Sequence, residues 1–277
     1  MNQIAICFFG ITRSLRFTAP SIERNVIQPA RQLGNARIYA HFFEQSAAKQ
    51  ANGQSEGQFD LTDARLLRPD WLETEPPDQC LSLWGLQSLQ EFGDRWDDDF
   101  RSLRNMVHAM HSLHSVTTKA LGDDPDVVVF VRPDLAYKDS LAPVIRQAIE
   151  MRSGVFLPRW QSWGGLNDRF AIAGDRSAAE AWGLRARDML EYCQHSSEPL
   201  HAERLLAFAL RSRNVPVHPI DARAARVRAS GRKVWENYGD ESTAIRQAVL
   251  KRRLWKVAEI TGAKALAKSA LAALRRR

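Results

Sequence analysis

The sequence lacks the devices that membrane-spanning and small secreted proteins rely on. Its 277 residues contain no run of 18 apolar residues, so nothing reads as a transmembrane helix. Three cysteines, Cys7, Cys80 and Cys193, are odd in number and far apart. That argues against a disulfide framework or a cysteine zinc site and fits a reducing cytoplasm. The apolar run Ile4 to Ile11 has no basic residue before it and no small-residue cleavage site after it, so it reads as a strand rather than a signal peptide. A G-x-G-x-x-G dinucleotide fingerprint is also missing.

What is present is an ordinary globular composition, 44% hydrophobic and 26% charged, with the charge unevenly placed. Of 39 Lys and Arg and 32 Asp and Glu, residues 211–277 hold 17 and 5. The excess of base therefore belongs to the C-terminal quarter, and the body is mildly acidic. From Glu241 onward the pattern is helical. Leu250, Leu254 and Val257 form one apolar stripe, and Leu266, Ala270, Ala273 and Leu274 a second, ringed by Lys and Arg. This composition suits an amphipathic helix drawn to an anionic membrane surface. A helix packed on the domain with a solvated basic face is the plainer reading. Nucleic acid is not expected, because Trp255 is the lone aromatic there and the body is acidic.

The stretch Asp126 to Tyr137 organises the chain. Val127 to Val131 reads as a fully buried strand that runs into Arg132-Pro133-Asp134. Strand ends of open α/β sheets form the edge where ligands bind. Pro133 fixes its own φ and biases Arg132 toward extended backbone. A cation and a carboxylate held there suit a phosphate-bearing or metal-bridged ligand; a structural Arg–Asp pair capping the turn stands beside that reading.

Ile4 to Phe9 is a first strand, Thr18 to Leu33 a helix with Pro20 near its start and Pro29 within it, and Ala36 to Phe42 a second strand. This β-α-β opening predicts parallel strands and places the loop after Gly10 on the same edge. Gly10 allows close backbone approach, and Thr12, Arg13 and Ser14 offer donors to phosphate. Residues 44–99 read as an exposed, loop-rich insertion. Asp97, Asp98 and Asp99 read as caps of the helix Phe100 to Leu121. On that helix His108, His111 and His114 point too far apart for one zinc, and read as a polar flank facing a cleft. Further expected elements are a helix Leu141 to Met151, a strand Gly154 to Pro158, and a strand after Asn167-Asp168. Helices Ser177 to Tyr192 and Pro199 to Arg211 follow, with a last strand Val215 to Ile220.

Three segments together resemble bacterial glycosyltransferases of surface polysaccharide and lipopolysaccharide assembly with a GT-A-like fold. They are FFGITRSL (Phe8 to Leu15), VFVRPDLAY (Val129 to Tyr137) and WGGLNDRFAIAG (Trp163 to Gly174), and the resemblance spans residues 3–220. It implies an α/β fold, a GT-A-like (Rossmann-like) mixed, mostly parallel sheet flanked by helices. Residues 1–240 would form the catalytic domain and 241–277 a basic helical tail.

The resemblance also implies a nucleotide-sugar donor, a glycan or lipid-linked acceptor, and a strand-end D-x-D that holds Mn²⁺ or Mg²⁺. Here Arg132 replaces the first carboxylate, so Asp134 is the candidate metal ligand and Arg132 a candidate partner of the diphosphate itself. Donor contacts map onto Gly10, Thr12, Arg13, Ser14 and Asn167. Asp168 and Glu203 are the candidate acceptor-side carboxylates, with neither preferred. Rival readings are a non-catalytic nucleotide or glycan binder of the same fold and, more weakly, a nucleic-acid binder acting through the basic segment.

Overall fold

In the computed structural model, residues 1–44 and 61–239 are described. Strand β1 (Gln3–Gly10) is buried over six consecutive residues, as a central parallel strand covered on both faces must be. The chain then turns into α1 (Leu15–Ile22) and α2 (Gln28–Leu33), joined without a break by one π-helical turn, Glu23–Ile27. Pro29 has no N–H for the carbonyl of Asn25, and that carbonyl accepts from Leu141 N at 2.8 Å instead. The proline thus loosens one turn without ending the helix.

Next come β2 (Asn35–Phe43), β3 (Trp71–Glu75), the short helices α3 (Gln79–Leu83) and α4 (Leu86–Gln90), and the long α5 (Arg101–Leu121). Then follow β4 (Val127–Val131), β5 (Leu135–Tyr137), α6 (Ala142–Met151), β6 (Val155–Pro158) and β7 (Ala171–Ala173). Helices α7 (Arg176–Gly183), α8 (Met189–Ser196) and α9 (Ala202–Ser212) precede β8 (Val217–Ile220) and β9 (Ala224–Arg226).

Among the described residues the main sheet has seven strands in the order β3-β2-β1-β4-β7-β6-β8. All its pairs are parallel except the two made by β7. This is the mixed, mostly parallel sheet flanked by helices that the sequence predicts. The strands β5 and β9 form a separate antiparallel pair. Residues 1–236 pack as one compact unit.

The core explains the packing. Ala5, Cys7 and Phe9 of β1 and Val128 and Phe130 of β4 alternate onto one face, against Leu113 and Val116 of α5, Trp182 of α7 and Leu206 of α9. Phe130 stacks on Trp182 with ring centres 4.4 Å apart. A second core joins Leu103, Val107 and Met110 of α5 to Met189 and Tyr192 of α8 and Leu205 of α9. Helix α5 belongs to both.

Four expectations change. The 44–99 segment is not all loop: it contributes β3 as the edge strand of the main sheet, pinned where Asp70 bonds Ile38 in both directions at 2.7 and 2.8 Å. The helix predicted over Ser177 to Tyr192 breaks into α7, a 3₁₀ turn and α8, because Arg185 turns inward and is fully buried. Val215 to Ile220 is not the last strand; β9 follows. The first helix starts at Leu15 rather than Thr18. The 45–58 loop and the basic segment 241–277 lie outside the described residues.

Close packing of α7 on α5 rests on Gly183. A Cβ there would sit 2.4 Å from the Thr117 side chain, whose hydroxyl bonds the Leu113 carbonyl at 2.6 Å. Gly183→Ala should therefore destabilise the fold by about 1–3 kcal/mol in urea unfolding. A change below about 0.5 kcal/mol would show that the contact yields freely.

Candidate functional site

Beyond Val131 the chain turns through Arg132-Pro133-Asp134, and α1 holds the turn in place. Thr18 Oγ1 donates to the Pro133 carbonyl at 2.5 Å, and Asn25 Nδ2 to the Tyr137 carbonyl at 2.7 Å. Arg132 grips Asp134 with two parallel bonds, Nε to Oδ1 at 3.0 Å and a terminal nitrogen to Oδ2 at 2.9 Å. Arg13, from the loop after β1, approaches the same Oδ2 at 3.6 Å. The backbone carbonyl of Asp134 accepts from Val227 N at 2.8 Å, which brings β9 and its Arg226 to the turn.

Asp134 is 3% exposed. Burial alone would raise its carboxyl, yet Arg132 and then Arg13 hold it below its ordinary value. Burial likewise opposes the charge on Arg132, and Asp134 more than offsets that. With two guanidiniums already around it, this carboxylate does not fit a divalent cation: an ion there would face cations instead of oxygen ligands. The Arg132–Asp134 pair fixes the turn, and Arg132 also lines the cleft.

That cleft has a volume of about 640 Å³ and opens at the carboxyl edge of the sheet. Gly10, Ile11 and Arg13 border it. Gly10 has φ +103° and nothing near where a Cβ would lie, so its backbone faces open space. Thr12 and Ser14, expected as phosphate donors, turn inward instead. Both are buried, and their carbonyls start the helix by accepting from Leu15, Phe17 and Thr18.

A second group of residues reaches the cleft from the loop after β6. Gln161, Trp163 and Gly164 have φ of 53°, 50° and 80°, two of them non-glycine residues in the left-handed region. The loop lies directly on the first turn of α9. Leu166 N bonds the Glu203 carbonyl at 3.0 Å, and a Cβ on Gly165 would come within 2.1 Å of that oxygen. Asn167, expected at the donor, is 1% exposed and spent within the loop: its amide donates to the Trp160 carbonyl and accepts from Arg169 N. Its role here is to fix the turn that presents Asp168.

Asp168 and Glu203 both line the cleft. Burial first, and then the charge of Asp168, pushes the Glu203 carboxyl up to about 7. Such a group holds or releases a proton near neutral pH. His201 Nδ1 lies 3.3 Å from Glu203 Oε2. Burial, then Arg95 and Arg204, push that ring down to about 4, so it is uncharged at neutral pH and the approach is not an ion pair. Over His201 stacks Trp96, at 6.5 Å and 22°. Trp96 lines the cleft with 44% of its surface exposed, on a loop clamped by Asp94, which accepts from the backbone of Trp96, Asp98 and Phe100.

Several residues of the site carry no sequence signal. Arg226 comes from a three-residue strand, and Glu236, 6% exposed, holds Arg226 at 3.3 Å and Arg169 at 2.7 Å. Trp96 and His201 become visible only when α5 and α9 are packed together. Asp98, in contrast, caps α5 as expected, accepting from Ser102 N at 3.1 Å and its hydroxyl at 2.7 Å.

No protein-family model and no curated protein sequence matches the chain. Solved structures do resemble it. Mouse xyloside xylosyltransferase 1 is 10% identical with a TM-score of 0.41, over 80% of this chain and 86% of that one. Core-mannan synthase A from Aspergillus fumigatus, in an Mn/GDP form, is 9% identical with a TM-score of 0.48, over 86% and 80%. A protein described as a nucleotide-diphospho-sugar transferase from Desulfovibrio desulfuricans is 13% identical with a TM-score of 0.36, over 79% and 80%. Likeness of this degree transfers no residue roles, which rest on this chain's own geometry.

Removing the carboxylate of Asp134 should expose the dependence of the turn on it. Asp134→Asn leaves Arg132 and Arg13 without their counter-charge and should cost about 3 kcal/mol at neutral pH. A depressed carboxyl contributes stability above its unfolded value of 3.8 and loses it as pH falls through the folded value. The gap between wild type and variant should therefore close below about pH 4. A pH-independent gap in denaturant titrations would contradict the ion pair.

Proposed function

We propose that the chain is a GT-A-like glycosyltransferase that moves a sugar from a nucleotide-sugar donor to a cell-surface glycan or lipid-linked acceptor. One observation carries this reading: three guanidiniums and the carboxyl groups of Asp168 and Glu203 line the same cleft at the carboxyl edge of the sheet. Arg13, Arg132 and Arg226 match the charge of a leaving diphosphate, and Gly10 lets it approach the backbone. Each charge-assisted bond is worth about 1.5–3 kcal/mol, more as charge builds on the leaving oxygen. Glu203 is suited to take the acceptor hydroxyl proton. The sugar–phosphate bond breaks with its electrons going to the diphosphate, and the acceptor oxygen bonds to the sugar. Burial, and then the charge of Asp168, raises Glu203 into the working range, and Asp168 stands ready to orient the acceptor.

Trp96 offers the apolar face of a sugar ring a flat partner beside Glu203. In related enzymes a divalent metal neutralises the diphosphate; Asp134 does not fit one here, and the arginines supply that charge. The basic segment 241–277, read from its sequence, would hold the enzyme at the inner face of the cell membrane, where a lipid-linked acceptor resides. No described helix is long and apolar enough to cross a membrane.

Two measurements test this. Unfolding followed with a panel of nucleoside diphosphates and nucleotide-sugars in EDTA should show one nucleotide that stabilises the protein by about 2.7 kcal/mol at 100 times its Kd. That gain should disappear in Arg226→Ala. No stabilisation by any nucleotide would remove the transferase reading.

Once the donor is known, its transfer or slow hydrolysis should rise with pH through about 7, because Glu203 must be ionised to act as base. Glu203→Gln should lose that limb and at least 10²-fold in rate. Donor binding with neither transfer nor hydrolysis would instead favour a non-catalytic binder. Deleting 241–277 should abolish sedimentation with anionic vesicles; unchanged sedimentation would dissociate the tail from the membrane.

A further inference from the structure

Behind the cleft wall, three side chains from separate elements converge. His41 comes from the end of β2, Glu75 from the last residue of β3 and His111 from the middle of α5. Glu75 Oε1 lies 2.6 Å from His111 Nε2 and in still closer contact with His41 Nε2. One ligand atom from each lies within 4.8 Å of the other two.

His41 is the telling member. It has no exposed surface; Nδ1 has no hydrogen-bond partner, and Nε2 meets the Glu75 carboxylate. A fully buried imidazole and a second imidazole that meet on one carboxylate oxygen bring three metal-ligand types to one point. Phe43 packs against both rings, 5.7 Å from His41 and 6.0 Å from His111, and shields the group with an apolar wall.

We propose that His41, Glu75 and His111 bind one divalent transition-metal ion of the Zn²⁺ or Co²⁺ class. Two imidazole nitrogens and one carboxylate oxygen suit such an ion and not Mg²⁺, which demands oxygen ligands. The site is separate from Asp134 and does not depend on the reaction assigned to the cleft. Its ion ties the edge strand β3 and α5 to the sheet. It is also linked to the cleft wall: the Ser112 hydroxyl donates to the His41 carbonyl at 2.7 Å and accepts from Gly10 N at 2.8 Å.

The ion-free state has a recognisable bond to break. Trp84 Nε1 donates to His111 Nδ1 at 2.9 Å, which puts the ring proton on Nε2, facing Glu75. Binding exchanges that position for the ion and moves the proton to Nδ1, so Trp84 must turn aside.

The full chain, stripped with EDTA, should take up one Zn²⁺ or Co²⁺ in equilibrium dialysis, with the melting temperature rising by several degrees and Mg²⁺ without effect. Co²⁺-loaded wild-type protein should show two paramagnetically shifted, exchangeable imidazole N–H resonances. His111→Asn and Glu75→Gln should bind at least tenfold more weakly, whereas Asp134→Asn should bind as wild type and Trp84→Phe no more weakly. No stoichiometric uptake, no shifted imidazole resonances, or binding undiminished in both ligand variants would overturn the proposal. So would loss of binding in Asp134→Asn. Stabilisation by a nucleotide in EDTA is read separately, so this site and the transferase reading stand or fall apart.

Discussion

A carboxylate with almost no exposed surface gathers the separate parts of this protein. Asp134 closes the strand β4, takes two bonds from Arg132, attracts Arg13 from the loop after β1, and through its backbone carbonyl receives β9. A buried negative charge is tolerated only when its neighbours compensate it. That requirement forces three cations toward one point on the sheet edge. The surplus of positive charge there is what makes the edge attractive to an anionic ligand. The fixed turn and the positive sheet edge are thus two consequences of one electrostatic constraint.

The acidic side of the cleft is built on a different constraint, close backbone packing. Only glycine at 165 lets the loop after β6 lie on the first turn of α9, and the left-handed residues around it aim Asp168 beside Glu203. Two carboxyls brought together in a half-dry cleft cannot both ionise freely, so Glu203 carries a proton near neutral pH.

Much of this was legible in the residues. The apolar runs of β1, β2 and β4 and the 3.6-residue periodicity of α5 are local signals, and they place Gly10, Arg13, Arg132 and Asp134 on one edge. The carboxylates Asp168 and Glu203 also fall into the cleft as expected. Thr12, Ser14 and Asn167 do not: Asn167 spends its amide on the backbone of its own turn, and Thr12 and Ser14 are buried at the start of α1, where their carbonyls accept helix N–H groups. The metal expected at Asp134 gives way because a carboxylate already paired to arginine makes a poor ion ligand. The three histidines of α5 were rejected as a shared zinc set on helical geometry. Of the three, His111 meets His41 and Glu75 from two other elements.

By itself, then, the sequence determined most of the segments that become strands and helices, that the opening β-α-β strands run parallel, and that Gly10, Arg13, Arg132 and Asp134 share one sheet edge. Each of these follows from periodicity, chain connectivity and the handedness of crossovers, which act over a few residues at a time. Only the tertiary structure decided that Arg226 joins Arg132, that Trp96 lies over His201, and that His41, Glu75 and His111 converge. Such meetings depend on the relative placement of elements separated by tens of residues. They are set by core packing and charge compensation, and those have no period in the chain.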